Sequence, residues 1–284
     1  KLTAKTVTGN GNVEVSALNA DLDADLSSLD NGSGAVSSAF SANGTFTGNL
    51  GTFSVAVANG VTMTTTAAIA TTNTITGSGT LAVTALNATL GADLSNNTVT
   101  NHTAAFSASG VFTGNLGDAV VTVASSQTMT TTAAIATGNT INGSGLVAIT
   151  SLDADLDANL AGITASGGIT YATTTINDAT KSFTGTLAAG VATITGTNTT
   201  GDIFNVDGAT LGTATFVVTN AILQGTAAKL TGKTVTGNGN VEVSALHSTL
   251  AADLSDLDNG SGAVTAAFGG NGTFTGNFGE AGVT

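Results

Sequence analysis

The side chains in this sequence that could do chemistry are mostly carboxylates, and they fall in short runs. Asp21, Asp23 and Asp25, followed by Asp30, make one run; Asp153, Asp155 and Asp157 a second; Asp253, Asp256 and Asp258 a third. Oxygen ligands on alternate residues are the kind of set that holds Ca²⁺. Asp21, Asp23, Asp25, Asp153, Asp155 and Asp157 are therefore candidates for a weak calcium site. The matching stretch elsewhere keeps only Asp93, so a fold common to all these stretches can manage without metal. Solvated corner carboxylates are the plainer reading, and no other cofactor is expected.

Catalysis needs unlike groups brought together, and the remaining inventory is thin. There is no Cys and no Arg, and no Gly-x-Ser-x-Gly elbow. His102 lies in the polar stretch NNTVTNHT, and His247 stands where an otherwise repeated phrase has Asn19; both read as solvated loop histidines. The pairs Gly9/Gly11, Gly77/Gly79, Gly143/Gly145 and Gly237/Gly239 lack the third glycine of a dinucleotide loop and precede strand-like sequence, so they read as corners. No catalytic and no cofactor-binding residue is assigned, and the chain is not expected to be an enzyme. Residues 61–76 hold eight Thr in sixteen. Thr hydroxyls stacked on a flat face would suit ice or carbohydrate, which is the alternative function. Sequons at Asn43, Asn87 and Asn271 are no more than so Thr-rich a chain produces by chance.

The composition limits the partners. Charged residues are 8% of 284 and the net charge is −13. With five Lys and no Arg there is no cationic patch to displace phosphate counterions or to meet anionic lipid heads, so nucleic acid is excluded. No apolar run is long enough for a membrane span, so direct membrane insertion is excluded too. Hydrophobic residues are 41% but aromatics only 4%, with 38 Gly and no Pro. A core of Val, Ile, Leu, Ala and Thr suits thin, regular β-layers. The chain should be all-β.

Repetition organises everything else. Residues 229–284 restate residues 1–56 with 41 of 56 positions identical. Within that long period the phrase TVTGNGNVEVSAL at Thr6 recurs as TITGSGTLAVTAL at Thr74, TINGSGLVAITSL at Thr140 and unchanged at Thr234. This predicts copy 1 over 1–73, copy 2 over 74–139, copy 3 with an insertion near 195–224 over 140–233, and the start of a further block over 234–284. Asn-Gly steps at Asn10, Asn31, Asn43, Asn59, Asn142, Asn238, Asn259 and Asn271 signal tight corners that tolerate positive φ. Their spacing of roughly 20–24 residues is about one rung of a parallel β-helix, or three rungs per copy. Leu18, Leu22, Leu26 and Leu29 carry a helical stripe; a short helix or a chain of solenoid corners would both bury them. The expected fold is a parallel β-solenoid of nested repeats forming an elongated rod. The alternative is a string of immunoglobulin-like β-sandwiches, which the lack of Trp and Pro disfavours.

The recurring G-x-G-x-x-x-V-x-x-L, ADLS and FTGNL phrases resemble those of the large β-strand-repeat proteins of Gram-negative surfaces: giant adhesins, autotransporter passengers and surface-layer proteins. The resemblance covers the whole chain and implies export, an extracellular or cell-surface location and a structural or adhesive role. The calcium-binding nonapeptide of some such proteins is missing. Both ends lie within repeat text without an atypical cap, so further repeats or end-to-end stacking are expected. The expected partner is another copy, in a fibre, layer or adhesin shaft.

Overall fold

The computed structural model describes residues 2–29, 32–51, 53–258 and 260–284. The Asn-Gly steps at Asn31 and Asn259 therefore have their first residues outside the described set. The chain forms two compact units, Lys1–Met129 with Asn139–Gly145, and Thr130–Gly138 with Leu146–Thr284.

Among the described residues, the strand pairings set within each unit run parallel. In the first unit the order is Val13–Val15, Val36–Phe40, Ser54–Val57, Thr74–Thr84, Thr98–Phe106, Val120–Val123 and Ile141–Gly143, and a second arm pairs Gly44–Thr45, Thr62–Thr66 and Thr74–Thr84. In the second unit Leu146–Thr150, Ile169–Ala172, Val191–Thr195, Thr215–Thr219 and Val235–Gly237 lie side by side. Another set runs through Thr180–Ser182, Ile203–Asn205, Ile222–Thr226, Asn240–Ser244, Val264–Ala266 and Gly282–Val283. Each unit is thus a parallel β-solenoid, and the immunoglobulin-like sandwich, which needs antiparallel strands, is excluded.

The sequence makes these strands by alternation. In Ser54–Val57 the valines point in and the Ser and Ala out; in Thr62–Thr66, Met63 and Thr65 point in. Phe40, Phe46, Phe106, Phe112, Phe183 and Phe204 are fully buried among Leu and Val. Each such ring contributes about 1.5–3 kcal/mol relative to exposure. The insertion in copy 3 is a complete extra coil. Val120–Val123 pairs directly with Ile141–Gly143, whereas Thr215–Thr219 intervenes between Val191–Thr195 and Val235–Gly237.

At the corners an open alternative closes. The leucine stripe is a chain of corners, not an α-helix. A single 3₁₀ turn at Leu18–Ala20 is repeated at Leu86–Ala88, Leu152–Ala154 and Leu246–Ser248. Each follows a left-handed residue, Ala17, Ala85, Ser151 or Ala245, with φ of 50–56°. The α-helical turns are elsewhere, at Ala67–Thr72, Ala133–Ala136 and Ala227–Leu230. The first two are capped by Thr66 and Thr132, whose hydroxyls accept from the amides of Ile69 and Ile135, as N-caps do.

The Gly-x-Gly pairs Gly9/Gly11, Gly143/Gly145 and Gly237/Gly239 lie at bends, as expected of corners, whereas Gly77/Gly79 lies inside the continuous strand Thr74–Thr84; at the last three pairs consecutive coils also touch backbone to backbone. A Cβ on Gly77, Gly143 or Gly237 would lie 2.3, 2.2 or 2.0 Å from the carbonyl oxygen of Val57, Val123 or Val218. Beside Gly77 the pairing slips register, so the long strand Thr74–Thr84 can serve two neighbours. Of the Asn-Gly steps, only Gly32, Gly60, Gly143 and Gly260 have positive φ. Gly44 sits inside a strand.

Candidate functional site

The acid that recurs in the ADLS phrase is a corner fastener. Asp25 accepts from the Ser27 amide at 3.0 Å and hydroxyl at 2.6 Å; Asp93 does the same with Ser95, at 3.0 and 2.6 Å. Asp253 repeats it with Ser255 at 3.1 and 2.7 Å. The serine hydroxyl, aided by the amide, holds all three carboxyls below the usual carboxylate range. In the adjoining coil the Asn of the FTGN phrase stacks on this acid, pairing Asp25 with Asn49, Asp93 with Asn115 and Asp253 with Asn277. Each of those Asn side chains accepts from the amide two residues on, at 2.9–3.0 Å. Copy 3 places Asn159 there, accepting from Ala161.

The remaining candidate calcium ligands are dispersed. Asp21 accepts from the Thr3 hydroxyl, which with Asp23 holds its carboxyl low, while Asp23 is exposed. Asp30 lies outside the described residues. Asp153 is not a solvated corner: it is 6% exposed and accepts from the Thr174 amide and hydroxyl at 2.5 and 2.6 Å. Asp155 accepts from the Thr137 hydroxyl, and Asp157 and Asp256 face solvent. Asp258 caps the Gly260 amide. Among the described residues no three acidic or histidine groups converge as a ligand set.

His247 is exposed as expected, but His102 is not a loop residue. It points inward from Thr98–Phe106, its side chain 1% exposed, with Nδ1 2.9 Å from Asp118 and Nε2 lacking any hydrogen-bond partner. The register explains the oddity. The inner residues Val13, Leu81, Val147 and Val241 lie opposite Val36, His102, Ile169 and Val264. His102 thus occupies an aliphatic position. Replacing it with Val removes a buried unsatisfied nitrogen and should stabilise the first unit by about 1 kcal/mol, read as a higher urea midpoint with unchanged slope.

Sequence reasoning missed Asp202 altogether. It is fully buried in the inserted coil. It accepts from the amides of Asp178 and Thr197, both at 2.5 Å, from the Thr197 hydroxyl at 2.8 Å and from the Asn198 amide at 3.0 Å. Burial pushes its carboxyl up, but the donors of Thr197, Asn198 and Asp178 outweigh that and leave it below the ordinary value.

Two open crevices occur at one corner of the repeat. The first, about 600 Å³, is lined by Leu29, Val36, Phe53 and neighbouring Gly and Ser residues; the second, about 610 Å³, by Ile163, Ala165, Ile169, Ala188 and Gly190. Beside the second, Tyr171 is an inward residue where other copies have Ser38, Ala104 or Ala266. Its ring lies where a Cβ on Gly190 would intrude, at 2.9 Å. Burial pushes its hydroxyl up to about 12. Among the described residues, neither crevice is lined by an acid, a base or a cysteine. The sequon residues Asn43 and Asn87 are coil fasteners, accepting from Thr62 and Ser107 of the following coil. What the arrangement does chemically is hold coils together. No protein-family model, curated protein or solved structure matches the chain.

Proposed function

We propose that this chain is extracellular structural material, a stretch of β-solenoid that assembles with copies of itself into a cell-surface fibre, layer or adhesin shaft and catalyses nothing. The observation that carries this reading is where the repeated polar groups go. The acids, amides and glycines that recur from copy to copy are spent on fixing the corners of each coil and on joining one coil to the next, and those that do not recur remain scattered. A protein kept for a reaction would concentrate unlike groups at one place; this one distributes like groups along a stack. The Cys-free, Thr-, Ala-, Gly- and Asn-rich composition supports a surface location.

Binding of ice or carbohydrate is the second reading, and outward Thr62, Thr64 and Thr66 favour it. Their columns are mixed, however: Thr45, Thr64, Ala82 and Thr103 stack in sequence, so hydroxyl rows are interrupted. Sedimentation and electron microscopy of the purified chain over a range of concentrations, with calcium or with EDTA, test the principal reading. Fibres or sheets that grow with concentration are the expected result. A monomer at all concentrations would overturn assembly.

A further inference from the structure

We infer that copies associate sideways through one face of the second unit, the outer surface of the sheet formed by Leu146–Thr150, Ile169–Ala172, Val191–Thr195, Thr215–Thr219 and Val235–Gly237. This rests on the self-assembly reading and says where the contact is made.

The face is built by register. One outward column runs Ala148, Thr170, Val191, Thr215, and a second runs Ala172, Thr193, Val217, Thr236, with Thr195 beside Thr219. The residues between them, Ile169, Tyr171, Ala192, Ile194, Phe216 and Val218, point inward and are buried. Every outward position named is Thr, Val or Ala, in a chain whose net charge is −13. The unit's other sheet presents Asn205, Gln224 and Glu242 in a hydrogen-bonded row of 2.7 and 3.0 Å, which ends in a carboxylate. Two acidic molecules can therefore meet on the Thr/Val face without bringing carboxylates together, and cannot do so on the other.

A second copy fits this face better than a hydrated crystal surface. Val191, 39% exposed, and Val217 break the hydroxyl rows, and β-branched side chains at one coil spacing interdigitate with an identical set, as in dry sheet-to-sheet contacts. The spacing of about 4.8 Å between coils and about 7 Å between alternate residues makes the face roughly 350 Å². A stable dimer needs about 800 Å² from each partner. One face is thus enough for weak lateral contact that gains strength from repetition, and not for a discrete dimer.

The test uses the full chain with Val191→Glu, which sets like charges against each other across the contact. Thr265→Glu places the same charge on the other sheet. Both are checked by circular dichroism and urea midpoint, and Thr215→Glu, in the same column, replaces Val191→Glu if that variant unfolds. Weight-average mass against concentration is measured by sedimentation equilibrium. The expected result is association weakened tenfold or more by Val191→Glu and unchanged by Thr265→Glu. Equal association of Val191→Glu and the unsubstituted chain overturns the lateral face and leaves self-assembly standing. Equal loss in both variants overturns it too, as general repulsion. An unsubstituted chain that never associates sinks the self-assembly reading itself. Retention on insoluble chitin or cellulose that is abolished by Val191→Glu, in a chain that stays monomeric, reassigns the face to polysaccharide.

Discussion

Adding one methyl group at Gly114 is expected to destabilise the first unit by about 3–5 kcal/mol, from backbone strain together with two or three lost hydrogen bonds. A Cβ there would sit 2.0 Å from the Ala92 carbonyl oxygen and 2.7 Å from the Ala92 nitrogen. Both atoms belong to backbone, so no side-chain rotation relieves the clash. The coils must part where Thr113 donates to Leu90 at 2.8 Å, Asn115 to Ala92 at 2.8 Å and Leu94 to Asn115 at 2.9 Å. Gly91→Ala is the matched control. Its Cβ would find nothing nearer than the Thr113 hydroxyl at 4.0 Å, and it should stay within about 0.5 kcal/mol of the original. Urea unfolding with hydrogen exchange separates the two. Equal midpoints for Gly114→Ala and Gly91→Ala would show that the coils are not packed as tightly as the FTGN corner requires. The same geometry recurs at Gly48, Gly185 and Gly276, where a Cβ would fall 2.1–2.2 Å from the carbonyl of Ala24, Ala158 or Ala252.

Loss of the Asp202 carboxylate should lower the melting temperature of the second unit by roughly 5–10 °C, the largest effect of any single acid in the chain. Asp202→Asn keeps the shape but turns an amide NH₂ toward the N–H groups of Asp178, Thr197 and Asn198, stranding donors in a buried site. The pH dependence follows from the direction of the shift. The carboxyl titrates lower in the folded chain than in the unfolded one, so its contribution is fully present above the unfolded value, about pH 4. It is lost as pH falls through the lower folded value. Melting curves between pH 7 and pH 2 should slope downward below about pH 4, and less steeply in Asp202→Asn. Identical acid limbs would show that Asp202 does not carry this linkage. Asp25, Asp93 and Asp253 shift in the same direction, so some acid sensitivity will remain.

The solenoid was legible because its determinants are local and repeated. Alternating Val and Thr, recurring glycines and restated phrases all lie on the surface of the text, and the extra coil of copy 3 showed as extra length. The environment of His102 was not legible, for a physical reason. Val13 and Leu81 are 68 residues apart while Phe40 and Phe106 are 66 apart. Counted from the Val13/Leu81 phrase, this slip of two residues sets His102 against Gly34; only counting back four residues from Phe40 and Phe106 sets it against Val36. Asp202 was invisible because its donors come from the turn around Asp178, a coil away, and from its own loop. The helical turns of the AAIAT phrase are too short for periodicity to register. The Thr before them is a cap signal that the Thr-rich surroundings mask. Among the acids, recurrence was the useful sign: the Asp kept in ADLS forms the corner, and the others vary.

The separation between paired strands has a further consequence, for how the molecule comes into being. Partners across the pairings described above lie from 17 residues apart, as for Ser37 and Ser54, to 24, as for Val191 and Thr215. Measured against 284 residues, that is a relative contact order of about 0.07, a value typical of helical bundles and far below that of sandwiches or barrels. An all-β chain of this kind escapes the slow search for distant partners. Each coil can close on its predecessor once about twenty more residues are available. Synthesis or threading through a pore would then lay the molecule down vectorially, and no long stretch of unpaired strand would wait for a partner from the far end of the chain.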